Sequence, residues 1–244
     1  MDVPAFVAEI KRKPELSGLS DAFVHTIAKK HLKGIQIPAS ERERKLLLKE
    51  IRAELRLHTG RFHKKKRSDS TLSELVDAHV STHERIAHYD FLKSLIAEYA
   101  PNSILDLGCG LNPILLAKKG QTYYACDIHE KEIKIINDFF KKEQIKGHAF
   151  VADVRTYTQF PKIDLCLMLK LLDIIDTKGR ANAEALIKAI NARTLIVSFP
   201  TRKLSGKRMN RPRRTWFEHM LARLSYPFQI KEIDNELFYL VTKP

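Results

Sequence analysis

Cysteine is scarce in this chain: Cys109, Cys126 and Cys166 are the only three in 244 residues, widely spaced and without a C-x-x-C pair. An odd count at such spacing argues against a disulfide framework and predicts small core side chains in a reduced protein. Long apolar runs are also missing, and none approaches the roughly 20 residues that span a bilayer. The opening stretch, MDVPAFVAEIKRKPEL, lacks a basic leader followed by an apolar block. No secretion signal is expected, and the cytoplasm is the expected location. His79 and His83 have the i, i+4 spacing of a metal pair, but the general-base glutamate of an H-E-x-x-H site is not between them, so no metal is expected. There is no internal repeat and no low-complexity segment.

Basic charge is abundant. The formal net charge is +14, and much of it is clustered. Arg61-Phe62-His63-Lys64-Lys65-Lys66-Arg67 is one cluster. A second runs from Arg202 to Arg214 through Lys203, Lys207, Arg208, Arg211 and Arg213, with no acid among them. Two such concentrations point to a polyanionic partner, with nucleic acid ahead of a membrane surface because neither cluster sits on an obviously amphipathic helix.

Residues 1–60 read as helices. Val3, Phe6, Val7 and Ile10 recur at helical spacing until Pro14, and Ser20 can cap a helix carrying Phe23, Val24 and Ile27. Ser40 with Glu43 forms a capping box ahead of Leu47, Ile51 and Leu55. A further helix is expected from Ser81 to Tyr99. Arg85 in its first turn opposes the helix dipole, so an anion should offset it: Glu84, a surface acid or a ligand carboxylate.

From Pro101 the rhythm becomes strand–helix–strand. Strands are predicted at 103–107, 122–127, 148–152, 163–169 and 194–199, with helices at 112–119, 130–142 and 181–191. A helix at about 215–224 and two strands, 228–233 and 237–242, follow. The right-handed crossover rule makes this a doubly wound α/β sheet, and the last two strands pair as an antiparallel hairpin around Asp234-Asn235. That ending is methyltransferase-type (Rossmann-like, class I) and differs from a dehydrogenase domain.

The most informative stretch is Ile104-Leu105-Asp106-Leu107-Gly108-Cys109-Gly110-Leu111-Asn112-Pro113, a strand, a glycine turn and a helix start. Asp106, Asp127 and Asp153 end three successive strands, and carboxyl ends line the ligand crevice of an open α/β sheet. Pro113 stands where a dinucleotide fingerprint would have its third glycine, so a pyrophosphate cradle is not expected. An adenosine ligand without phosphate fits better, and S-adenosylmethionine is the expected cofactor.

His79-Val80-Ser81-Thr82-His83-Glu84-Arg85, Asp106–Pro113, Leu167-Met168-Leu169-Lys170-Leu171-Leu172 and Ser198-Phe199-Pro200-Thr201-Arg202 occur in one order. Together they resemble the aminoglycoside-resistance (Arm-type) family of 16S ribosomal RNA (guanine-N7) methyltransferases, from about residue 70 to the C-terminus. The resemblance implies a helical N-terminal ribosome-docking module over 1–78 and a methyltransferase domain over 79–244. It implies that Arg85 grips the cofactor carboxylate, Gly108 lies against the methionine part, Asp127 holds the ribose, and Asp153 with Val154 meets the adenine. His79, Asp106, Gly110 and Ile128 join these as cofactor-binding candidates. Leu169 and Lys170 fall at the methyl group.

The implied partner is the small ribosomal subunit, met by a monomer. RNA-binding candidates are Lys64, Lys65, Lys66, Arg67, Arg202, Lys203, Lys207, Arg208, Arg211, Arg213, Arg214 and Trp216. The loop after Thr201 departs from the family in being arginine-dense where relatives are richer in glycine. Trp216 is open to two readings, a platform for the flipped base or a core aromatic. Guanine N7 needs no deprotonation, so no general base is expected. The alternatives are another base atom, such as adenine N1 or a tRNA position, and a ribosome-assembly factor that binds RNA without transferring methyl groups.

Overall fold

The computed structural model describes residues 2–34, 36–59, 88–176, 180–203 and 206–244. The N-terminal helices form where the apolar spacing places them. In α1 (Val3–Ile10), Asp2 accepts from the Ala5 N–H at 3.0 Å and satisfies one of the free first-turn donors. Ser20 caps α2 (Asp21–Leu32) by accepting from the Phe23 N–H at 3.2 Å, and left-handed Lys33 ends it. Then α3 (Glu41–Thr59) buries Leu48, Ile51, Leu55 and Thr59. These three helices and a short 3-10 turn at Pro14–Leu16 share one core built around Phe6, Ile10, Leu16, Leu19, Phe23, Val24 and Ile27.

After α4 (Tyr89–Ala97) comes the alternating part: β1 (Ser103–Leu107), α5 (Asn112–Leu116), β2 (Thr122–Asp127), α6 (Glu130–Lys142), β3 (Lys146–Val151) and β4 (Ile163–Leu169). It continues through α7 (Leu172–Ile175), α8 (Ala181–Ala189), β5 (Ala192–Pro200), α9 (Thr215–Arg223), β6 (Phe228–Ile233) and β7 (Glu236–Thr242). The strands form one sheet in the order β3-β2-β1-β4-β5-β7-β6. β1 to β5 are parallel, and β7 runs antiparallel between β5 and β6. The sheet separates two apolar clusters. Leu105, Leu107, Cys166 and Met168 belong to one, while Ile104, Leu165, Leu167 and Leu169 belong to the other. Both faces are thus buried, as expected of a parallel sheet.

Several boundaries differ from the sequence expectation. The helix predicted over 112–119 stops at Leu116, because Ala117 turns extended and Gly120 adopts a positive φ of 87°. β3 begins two residues earlier than expected, at Lys146. Gly147 allows this: a Cβ there would lie 2.0 Å from the Tyr123 carbonyl oxygen. The short helix α7 was not anticipated. The start of the helix expected from Ser81, and the boundary expected at residue 78, lie outside the described residues.

The helical module is joined to the sheet partly through backbone. The Ser20 N–H donates to Ile128 O and the Glu130 N–H to Gly18 O, both at 2.9 Å, and Leu19 bridges His129. The module therefore sits against the turn leaving β2, beside the carboxyl edge of the sheet.

Candidate cofactor site and RNA-facing loop

The turn after β1 is left-handed at both glycines, with φ of +63° at Gly108 and +50° at Gly110. A Cβ at Gly108 would approach Leu171 Cδ1 to 2.7 Å, so only a bare backbone leaves this space open. The turn is tied to the end of β2. The Gly110 N–H donates to Asp127 Oδ2 at 3.0 Å, and the Cys109 N–H donates to Cys126 O at 3.1 Å. The other Asp127 oxygen accepts from the His129 N–H at 3.1 Å. Below the turn, the Tyr89 hydroxyl donates to Asn112 Oδ1 at 2.6 Å and anchors α5 to α4.

These segments open onto a cleft of about 820 Å³ including its mouth. Gly108, Cys109, Gly110, Asp127, Ile128, Asp153, Val154, Leu169 and Lys170 line it, which brings together most of the expected cofactor residues. Asp106 is the exception. It is fully buried, accepts from the Tyr123 hydroxyl at 3.1 Å and does not line the cleft. Asp106 precedes the strand end by one residue, and its side chain meets Tyr123 of β2 inside the protein. His79 and Arg85 lie outside the described residues.

Asp153 is held more tightly than a free strand-end acid would be. Arg155 donates to it through its backbone N–H at 3.0 Å, Nε at 2.9 Å and Nη2 at 2.7 Å. The same guanidinium lies 3.3 Å from His58 Nε2 and 5.2 Å above the Phe23 ring. Burial, then the Arg155 charge, pushes the His58 imidazole below its ordinary value despite Glu54 and Asp153 nearby.

Phe23, His58 and Thr59 line the cleft, so the helical module supplies one of its walls. Sequence reasoning missed this contribution, because nothing in the local pattern of α2 or α3 connects them with strand ends a hundred residues later. Arg155, two residues from Asp153, is an addition with a local signal. The three cysteines are buried, and burial pushes their thiols up, as expected of inert core side chains.

The residues fit S-adenosylmethionine. Gly108 leaves a space that a Cβ would fill, Asp127 offers carboxylate oxygens that could take ribose hydroxyls, and Ile128 and Val154 give apolar lining against which an adenine could lie. Carboxylates at Asp127 and Glu132 suit a cationic sulfonium.

The arginine-dense loop folds back on itself. Arg202 bridges Arg208, and the Lys203 N–H donates to Lys207 O at 2.8 Å. Arg202 pairs with Asp234 at 2.7 Å, Arg208 with Glu232 at 2.8 Å and Arg213 with Glu218 at 2.7 Å, all at the surface. Among the described residues Lys203, Lys207 and Arg211 are exposed and make no ion pair. Arg214 corrects the sequence expectation. Its side chain is 11% exposed, pairs with Asp173 at 2.8 Å, donates to Pro200 O at 3.2 Å and covers the Phe199 ring. It is an internal strut between α7, β5 and α9. Trp216 likewise belongs to the core. Its ring meets Phe199 and Phe217 edge-on, and the Arg180 guanidinium sits 4.4 Å from its centroid, already stacked on one face. Lys64, Lys65, Lys66 and Arg67 lie outside the described residues.

A seven-stranded sheet with β7 inserted antiparallel, and an adenosyl-binding cleft at the carboxyl edge, define a class I methyltransferase. The model of the family described as Ribosomal RNA methyltransferase (FmrO) matches residues 7–240, and the chain belongs to that family. It is 33% identical over 183 residues to a 16S rRNA (guanine(1405)-N(7))-methyltransferase of Serratia marcescens, covering 72% of each chain. A Micromonospora echinospora protein of the same name is 30% identical over 182 residues, covering 71% of this chain and 66% of its own. Among solved structures, the 16S rRNA methyltransferase RmtF in complex with S-adenosyl-L-homocysteine superposes over all of both chains with a TM-score of 0.83 at 25% identity. The 16S rRNA methylase RmtB superposes with a TM-score of 0.79 at 25% identity, over 100% of this chain and 99% of its own.

Proposed function

We propose that this enzyme transfers the methyl group of S-adenosylmethionine to N7 of a guanine in the decoding-site helix of 16S rRNA, and that the modification confers aminoglycoside resistance. The observation that carries the reading is the cleft: a glycine turn open to a cofactor, with the Asp127 carboxylate, Leu169 and Lys170 in the same lining. Relatives and structural neighbours with 16S rRNA methyltransferase names support the substrate.

The bound cofactor supplies an electrophilic methyl on a sulfonium. The chain's own residues bind and align. The Asp127 carboxylate holds the ribose, Arg85 the carboxylate of the methionine part, and Ile128 with Val154 the adenine. Guanine N7 offers an exposed lone pair, so alignment of a flipped base beside Leu169 and Lys170 suffices, and no residue needs to remove a proton.

The module over 1–78 and the 201–214 loop serve as docking surfaces of a cytoplasmic monomer, with domain 79–244 carrying the chemistry. Exposed Lys203, Lys207 and Arg211 are free to meet phosphates. No described helix is long and apolar enough to cross a membrane. The test is incorporation of labelled methyl into purified small subunits followed by mapping of the modified nucleotide. A methyl on guanine N7 in the decoding-site helix supports the reading, and a methyl on adenine N1 or on tRNA overturns it.

A further inference from the structure

A second polar cluster lies at the end of β4, apart from the carboxylates that face the glycine turn. Lys170 follows the strand with φ of +56°, a left-handed conformation strained for a residue with a side chain. Its backbone N–H donates to both the carbonyl and the hydroxyl oxygen of Ser198, each at 3.1 Å. Its ammonium lies 3.7 Å from one oxygen of Glu236, and the Ser198 hydroxyl donates to the other. Glu236 is fully buried at the first residue of β7, while the Lys170 side chain keeps 11% exposure. A carboxylate taken out of water needs a charged partner and hydrogen bonds, whereas an apolar pair would fill the same seam without that demand. The ammonium is therefore held beside Glu236, on a residue that lines the cleft.

The place is informative. Asp127 marks the ribose side of the cleft, Asp153–Val154 the adenine side, and the glycine turn the methionine side. Leu169 and Lys170 also line the cleft, and in that reading they are the lining left to meet the acceptor base. We infer that Lys170 donates a hydrogen bond to the O6 carbonyl of the flipped guanine, and that Glu236, oriented by Ser198, is the positioning residue that holds the ammonium there. The inference rests on the guanine-N7 reading above.

The Hoogsteen edge of guanine presents two adjacent acceptors, N7 and O6. N7 must keep its lone pair for the methyl group, which leaves O6 to be read. Adenine presents its N6 amino donor at that position, and an ammonium facing it meets donor with donor. Glu236 has a second effect. Methylation leaves the purine positively charged, and the carboxylate behind Lys170 offsets a cation that would otherwise oppose this charge.

The experiment uses the full chain and small subunits bearing either guanine or adenine at the target position, with labelled methyl transfer, mapping of the product and calorimetry with S-adenosylhomocysteine. Lys170→Gln should lower kcat on guanine subunits about tenfold or more and shrink the guanine-over-adenine preference by a similar factor. Its S-adenosylhomocysteine affinity and its KM for subunits should stay within about twofold of the parent protein. Glu236→Gln should lower kcat in the same way, with partial rescue in Glu236→Asp. Ser198→Ala serves as the second variant if Glu236→Gln does not fold. An unchanged base preference in Lys170→Gln, or a kcat loss that follows lost cofactor binding, overturns the inference. If the parent protein places its methyl elsewhere than guanine N7, the functional reading fails first. Guanine-N7 product with preference intact in Lys170→Gln overturns this inference alone.

Discussion

The carboxylate of Asp127 accepts from the backbone N–H of Gly110 at 3.0 Å, so the acid proposed to hold the ribose also shapes the turn proposed to receive the methionine part. Two halves of the cofactor cleft therefore depend on one side chain. Asp127→Ala should weaken S-adenosylhomocysteine binding by about 10- to 100-fold, the size of losing hydrogen bonds to a charged group. Calorimetry with unchanged affinity would remove Asp127 from the site.

Gly108→Ala tests the space beside the turn. Two penalties add: the positive φ of 63° and the approach of a methyl to Leu171 Cδ1. The conformational part alone is about 1–2 kcal/mol, or roughly 2–8 °C in melting temperature for a chain of this size. Cofactor affinity should fall as well. Adding Leu171→Ala should recover part of the affinity lost to crowding and none of the conformational strain. Melting curves and calorimetry on the single and double variants separate the two.

Arg211 and Arg214, three residues apart, should behave oppositely. Arg214→Ala leaves Asp173 and the Pro200 carbonyl without their partner, at a cost of about 2 kcal/mol and roughly 4–8 °C. Arg211→Ala should leave the melting temperature unchanged, weaken subunit binding and reduce the salt slope by about 1. Thermal melts and binding at several salt concentrations distinguish strut from contact. Equal melting temperatures for the two variants would refute the assignment.

His58 makes stability depend on acid. Burial and Arg155 hold its imidazole below the ordinary value of 6.5, so at intermediate pH the unfolded chain binds the proton that the folded chain refuses. Its contribution is complete above about pH 6.5 and is lost as pH falls from there toward the depressed folded value. The parent protein should therefore lose melting temperature more steeply than His58→Gln between about pH 7 and pH 5. Parallel slopes would show that His58 does not titrate in this window.

Much of the sheet was legible because its signals are local. β1, β2, β4 and β6 and helix α6 begin and end where their apolar patterns do. Buried parallel strands read as continuous apolar runs, and α6 shows one apolar face. The β3 boundary was less clear because Lys146, Gly147 and His148 are exposed on an edge strand and carry no burial pattern. Legibility fell where partners are distant in the chain. Nothing near Arg214 announces Asp173, 41 residues earlier, and the arginine loop looked unpaired because Glu232 and Asp234 lie beyond the next helix. Asp106 was misplaced for a different reason: a residue one position short of the strand end faces into the protein instead of the crevice. The cleft lining from the turn and the end of β2 was legible because it sits in contiguous segments. The wall made by Phe23, His58 and Thr59 was not, since only the assembled fold brings it there.

The helical module meets the β2 turn through main-chain groups, at Gly18, Ser20, Ile128 and Glu130. That part of the joint does not discriminate between side chains, whereas Phe23 and His58, which meet Arg155, are tied to the cleft. The outward faces of α1 to α3 can thus drift between lineages, or be rebuilt in the laboratory for another RNA surface, without unseating the module from the catalytic body. Full-length superposition on relatives at a quarter identity is what a scaffold attached in this way permits.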